Sequence, residues 1–269
     1  MRIETNNELI KRNRRTANIL FFFSMGILIA GFLVANLQLT AKDGVTLLIS
    51  VVAPWIVLPL GFISTLISVR MTNLWVRQPR PEKAIPAGLK GLSKRSVLYN
   101  YYHFPARHVL VAPQGVFAIV TRYQDGRYIV NGEKWQSPGG PFAAIGRFFR
   151  RDAIGDPTAD AHKAAAYVKG LIEKTLPNVE VQPLIIFVDP KARLEINDSS
   201  VPVLYSDENK EPNLRDFIRQ LTQKQTPQIE QPAAKKGSGG KGKGETKPEL
   251  GVINPEQVAD ALEEATVIG

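Results

Sequence analysis

The sequence predicts an α/β domain, a mixed central sheet flanked by helices, preceded by a two-helix transmembrane hairpin. Three observations predict it. Two uncharged runs near the N-terminus, 19–39 and 44–69, each have about the length that crosses a bilayer. From 87 to 221 short apolar strand patterns alternate with amphipathic helical ones. Beyond that, 222–250 is a tract rich in Lys, Gly, Pro and Gln, too poor in apolar residues to join a core.

Composition agrees with this division. A chain of 269 residues holds one medium domain with appendages, and 44% hydrophobic content suffices for a core. A formal charge of +9 points to an anionic partner, nucleic acid or acidic lipid headgroups. The lack of cysteine excludes disulfides, thiolate–metal sites and thiol catalysis.

The first apolar run follows KRNRR, as a signal peptide would, but it is long and the second run follows at once, which favours a hairpin. Lys42 and Asp43 form the turn. Pro54 and Pro59 interrupt the second run, and a membrane helix tolerates both. Lys11, Arg12, Arg14 and Arg15 flank the hairpin on one end, Arg70, Arg77, Arg80 and Lys83 on the other, so both flanks are expected in the cytoplasm. The chain then divides into a basic cytoplasmic N-terminus (1–16), the hairpin (17–70), a stiff Pro-rich linker (71–86), the domain (87–221), a flexible basic linker (222–250) and a terminal segment (251–269) with a short helix that docks or frays. The domain is expected to close on itself without the anchor.

Within the domain, 87–102 is expected as a helix, with Leu89, Leu92, Ser96 and Tyr99 on one face. Residues 108–111 and 116–123 are strands joined by the Ala112-Pro113-Gln114-Gly115 turn, and 127–131 is a third strand after Asp125-Gly126. A helix follows from Phe142, and Asp156-Pro157 starts another that carries Ala161, Ala164, Val168 and Ile172. LIIFV at 184–188 suits a strand buried on both faces. Short peripheral strands at 194–196 and 201–205 precede a last helix bearing Leu214, Phe217, Ile218 and Leu221.

This order is the common core of restriction-endonuclease-like folds, and the residues resemble the nuclease-related domain (NERD) family over about 88–221. The resemblance rests on Gly88 and Gly91 at their spacing, the run ARHVLVAPQGVFAIVTR, Trp135, Asp156-Pro157 and LIIF. It implies, in members that cleave nucleic acid, a glutamate in the first helix, an aspartate on the first strand and a Glu-x-Lys pair on the second. Those carboxylates would hold a divalent ion that generates the nucleophile. At the matching positions this sequence has Leu92, Arg107, Val120 and Arg122. No metal, cofactor or catalytic residue is therefore expected, since a guanidinium stays protonated and makes a poor base.

Other chemistry is thinly supported. His103, His108 and His162 lack ligand spacing, and Asp125, Glu133, Asp152 and Asp156 fall in turns and loops. No phosphate loop or nucleophile elbow is present. Arg147, Arg150 and Arg151 lie beside Phe142, Ile145, Phe148 and Phe149, a pattern that suits a helix packed on the domain, on anionic lipid or on nucleic acid.

A regular hairpin at 112–115 sets Arg107 opposite Val120 and diagonal to Arg122, all on one face. The anion-binding candidates are thus Arg107, Arg122, Arg147, Arg150 and Arg151. The expected function is that of an integral membrane protein, termini and domain cytoplasmic, acting as a catalytically inactive binding or scaffolding module for nucleic acid or another anionic partner. Two alternatives stand beside it. One is an active membrane-tethered metal-dependent nuclease using other acids; the other is a structural membrane protein that binds a protein partner.

Overall fold

The computed structural model describes residues 1–36, 43–150, 153–225 and 254–268. Lys42, Arg151, Asp152 and most of the expected basic linker lie outside the described residues.

Two long helices, α1 (Asn7–Asn36) and α2 (Gly44–Trp75), contain the two apolar runs and pack on each other. The residues buried on α1 are Ile10, Ala17, Ser24 and Gly31, one every seven positions. On α2, Gly61, Ser68 and Trp75 repeat the same interval. Small side chains at that spacing let two helices approach closely along one seam. The approach is tight at Gly61, where a Cβ would stand 2.9 Å from Leu28 Cδ2. The rest of both surfaces is apolar and open, with Phe22, Phe32, Leu48 and Trp55 all exposed. Both helices are long and apolar enough to cross a membrane, and little of either is buried, unlike the core helix of a soluble domain. Asp43 caps α2 by accepting from the Thr46 N–H at 2.8 Å, and the helix runs through Pro54 and Pro59.

The expected Pro-rich linker at 71–86 and the expected helix at 87–102 are both corrected. Helix α2 extends to Trp75, a short helix α3 (Pro81–Gly88) starts with a proline at its first turn, and β2 (Val97–His103) occupies the second half of the predicted helix. The residues chosen for a helical face also suit a strand, because Tyr99 and Tyr101 alternate with Leu98 and Asn100 in a β-rich run. Burial on both sides of β2 hid the period-two signal.

The main sheet then continues through β3 (Ala106–Ala112), β4 (Gly115–Arg122), β7 (Val181–Phe187) and the edge strand β9 (Val203–Tyr205). Strands β2, β3 and β4 form an antiparallel meander. Helix α5 (Pro157–Ile172) carries the chain over to β7, which lies parallel to β4. Asp156 and Pro157 start α5 as expected, the Asp156 carboxylate accepting from the Ala159 N–H at 2.9 Å. The expected third strand forms at its expected bounds as β5 (Arg127–Asn131), but it belongs to a separate three-stranded sheet with β6 (Lys134–Gln136) and β8 (Arg193–Asp198).

The other edge of the main sheet was not anticipated. Residues read as a basic tail form β1 (Arg2–Thr5), parallel to β2. The terminal segment forms α7 (Pro255–Ile268), which neither frays nor projects: Val258 and Leu262 join Val109, Val111, Ala164 and Val168 in one core layer. The opposite face of the sheet, with Leu110, Phe117 and Ile119, is covered by α3 and by α6 (Leu214–Gln225). Tyr99 Oη donates to Glu263 at 2.8 Å, and Arg2 donates to both, so one cluster joins the two chain ends. The expectation that the domain closes from Gly88 onward is accordingly revised, because 2–5 and 81–88 belong to it.

Candidate functional site

The meander turns at residues 112–115, and the ladder runs from Ala112↔Gly115 to His108↔Ile119. One step further, the same register sets Arg107 opposite Val120. Alternate residues of β3 and β4, Val109, Val111, Val116 and Ala118, face α5, so Arg107, Val120 and Arg122 emerge on that same side. They line a groove of ≈ 560 Å³ between the end of α2, the sheet, α5 and the helix α4 (Pro141–Arg150).

Of the expected candidates, Arg107, Arg122 and Arg147 line this groove, and sequence reasoning missed the other charged residues beside them. Arg70 and Arg77 enter from the last turns of α2, Arg147 from α4, and Lys163 with Asp160 from α5. The signal for the last two was their i,i+3 spacing next to the buried Ala161 and Ala164, which fixes them on one rim of the helix. Asp160 is the one acidic side chain among the described residues lining the groove. Its Oδ2 accepts from Arg122 Nη2 at 2.6 Å. Arg77 pairs with Asp125 at 3.4 Å and Asp189 at 3.5 Å. Arg70, Arg107, Arg147 and Lys163 have no ion pair among the described residues.

Arg107 is the most constrained of these. Burial pushes its guanidinium below the usual arginine range; the charges of Arg122 and Arg70 add to this, while Tyr101 and Asp160 oppose it. A guanidinium nevertheless remains protonated, so the site keeps a partly desolvated positive charge with no ion pair among the described residues. Tyr101 rims the groove and donates through its hydroxyl to Glu82 at 3.2 Å. Behind it, His108 Nδ1 stands 2.8 Å from Asn100 Oδ1. Burial, with Arg107 nearby, lowers His108 to about 3, so it is neutral at pH 7.

The remaining expected positions do not converge here. Leu92 lies in the loop between α3 and β2 and packs on the α6 side of the sheet. Arg150 is exposed and donates to Asp125 at 3.2 Å. Arg151 falls outside the described residues. Because β2 replaces the expected helix, Arg107 is on the second strand of the meander and Val120 and Arg122 are on the third.

The groove does not fit a divalent ion. Among the described residues no three His, Cys, Asp or Glu side chains are grouped to hold one. The one acid among the described lining residues, Asp160, is already paired with Arg122, and the surrounding charge repels a cation. Forked donors on several sides instead suit phosphate or carboxylate oxygens.

The family model described as nuclease-related domain matches residues 82–188. That interval begins in α3 and ends just after β7, so it spans the meander, α4, α5 and most of the groove. No curated protein and no solved structure matches the chain. Trp135, one residue of the resemblance, ties the small sheet to this core: Nε1 donates to Thr158 Oγ1 at 2.9 Å, and the ring stacks on Phe187.

Proposed function

We propose that the domain, whose residues 82–188 match the family model described as nuclease-related domain, binds an anionic ligand in the place where cleaving members of that family would bind a metal, and does not cleave nucleic acid. The observation that supports this is the convergence of Arg70, Arg107, Arg122, Arg147 and Lys163 on one groove in which Asp160 is the one acid among the described residues. Metal-assisted cleavage needs carboxylates to hold the ion and lower the pKa of its water. Arginines at those positions favour the phosphate and exclude the ion.

In this proposal α1 and α2 anchor the domain in a membrane. Support comes from their open apolar surfaces, which water would not tolerate over so large an area. Cations flank both helices on the side of the domain, which favours a cytoplasmic domain and N-terminus. The pairing of β1 with β2 agrees, because it holds the start of α1 and the end of α2 at one sheet.

The test uses full-length protein extracted in detergent, with labelled DNA and RNA oligonucleotides and pyrophosphate as probes. The expected result is binding of a polyanion, weakened at least tenfold by Arg107→Ala with Arg122→Ala, and no cleavage with Mg²⁺ or Mn²⁺. Metal-dependent cleavage that those substitutions leave intact would establish the nuclease reading instead.

A further inference from the structure

Helix α4 is short, amphipathic and poorly covered. Phe142 is 87% exposed, and Ile145, Phe148 and Phe149 are each at least half exposed. Of the three surfaces this pattern suits, a core packed on the domain fits these exposures least. Helix α4 packs against α2: the Phe149 ring stands 6.1 Å from that of Phe62, and Asn73 Nδ2 donates to the Arg150 carbonyl at 2.7 Å. Phe62 lies about two helical turns to the apolar side of Arg70. The apolar edge of α4 is therefore continuous with the apolar surface of α2, and the groove opens where that surface ends in Arg70, Asn73 and Arg77.

From this geometry we infer that α4 lies in the plane of the domain-facing leaflet, and that the arginine groove behind it takes the phosphate headgroup of an anionic phospholipid. The inference rests on the anion-site reading above and names its ligand. A helix with bulky apolar residues on one side and arginines on the other binds the boundary between headgroups and acyl chains. Arg147 and Phe148 belong both to that helix and to the groove lining, so a lipid whose tail runs along Phe148 presents its phosphate to Arg147, Arg107 and Arg70. Those three cations have no ion pair among the described residues, and an anionic headgroup supplies one. A nucleic acid reaching the same groove would leave Phe142, Ile145 and Phe149 facing water.

The experiment takes the full chain in nanodiscs of phosphatidylcholine with or without phosphatidylglycerol. The chain has no cysteine, so Phe142→Cys gives a single nitroxide site whose depth is read from its exposure to oxygen against a water-soluble nickel complex. The label is expected in the acyl region; a label fully exposed to nickel would overturn the in-plane helix. Retained lipid is then counted by native mass spectrometry. Wild type is expected to retain phosphatidylglycerol at least tenfold more than Arg70→Gln with Arg107→Gln, and equal retention would overturn the headgroup site. If the groove instead bound an oligonucleotide in preference to lipid, this inference would fail while the anion-site reading survived. Binding of neither lipid, oligonucleotide nor pyrophosphate would sink both.

Discussion

At the scale of single residues, the groove keeps charges that the fold would be more stable without. Arg107 is partly buried beside Arg122 and Arg70, feels Asp160 only at a distance and has no ion pair among the described residues. Arg107→Met removes the repulsion and keeps much of the side-chain volume. It is expected to stabilise the ligand-free protein by about 1 kcal/mol while weakening anion binding, as read from thermal melts with and without pyrophosphate. A loss of stability would mean that Arg107 serves packing alone. His108 and His103 supply a pH signature: burial lowers the first to about 3 and the second to about 4. Both are neutral in the folded state and take up protons on unfolding below their unfolded pKa of about 6.5. Their contribution to stability is thus complete above pH 6.5 and is lost as pH falls toward 3 to 4. Replacing His108 by Asn is expected to lower the slope of unfolding free energy against pH by about one proton in that window; an unchanged slope would show that His108 is already charged.

At the scale of elements, what the sequence made legible depended on how locally each signal was written. The start of α5 was readable because Asp156 and Pro157 act on the first turn alone. The β3–β4 register was readable because the turn at 112–115 fixes it. Strand β2 was misread because both of its faces are buried, so its residues show no alternation of apolar and polar positions by which to recognise a strand. Strand β1 and helix α7 were missed as parts of the domain for a different reason: both need partners distant in the chain, β2 for one and α5 for the other. The candidate site divides in the same way. Arg107 and Arg122 share one hairpin and were placed from it, whereas Arg70 and Lys163 arrive from separate helices. The hairpin of α1 and α2 is itself open to test at Gly61. A leucine there would drive a side chain into Leu28 and Ile27 and is expected to cost about 1–3 kcal/mol, measured as a lower melting temperature in detergent. Gly26 has open space around its Cβ position, and Gly26→Ala serves as the control.

At the scale of the whole molecule, both chain ends lie on the domain that also receives the end of α2. This arrangement makes the apolar pair an insertion between β1 and the rest of the sheet, held at both of its ends. Helix α7 is a structural part of the core, so Leu262→Ala is expected to destabilise the protein by about 2–5 kcal/mol; a loss below half of that would return α7 to the status of an accessory segment. A fragment lacking 1–80 gives up β1 and exposes the β2 edge, and is expected to associate through it. The central claim, that a metal site has become an anion site, is tested most directly by ligand-induced melting shifts of the full-length protein in detergent. Pyrophosphate is expected to raise the melting temperature of wild type and not of the Arg107→Ala, Arg122→Ala variant, while Mn²⁺ leaves both unchanged. Stabilisation by Mn²⁺ without a response to pyrophosphate would contradict the account.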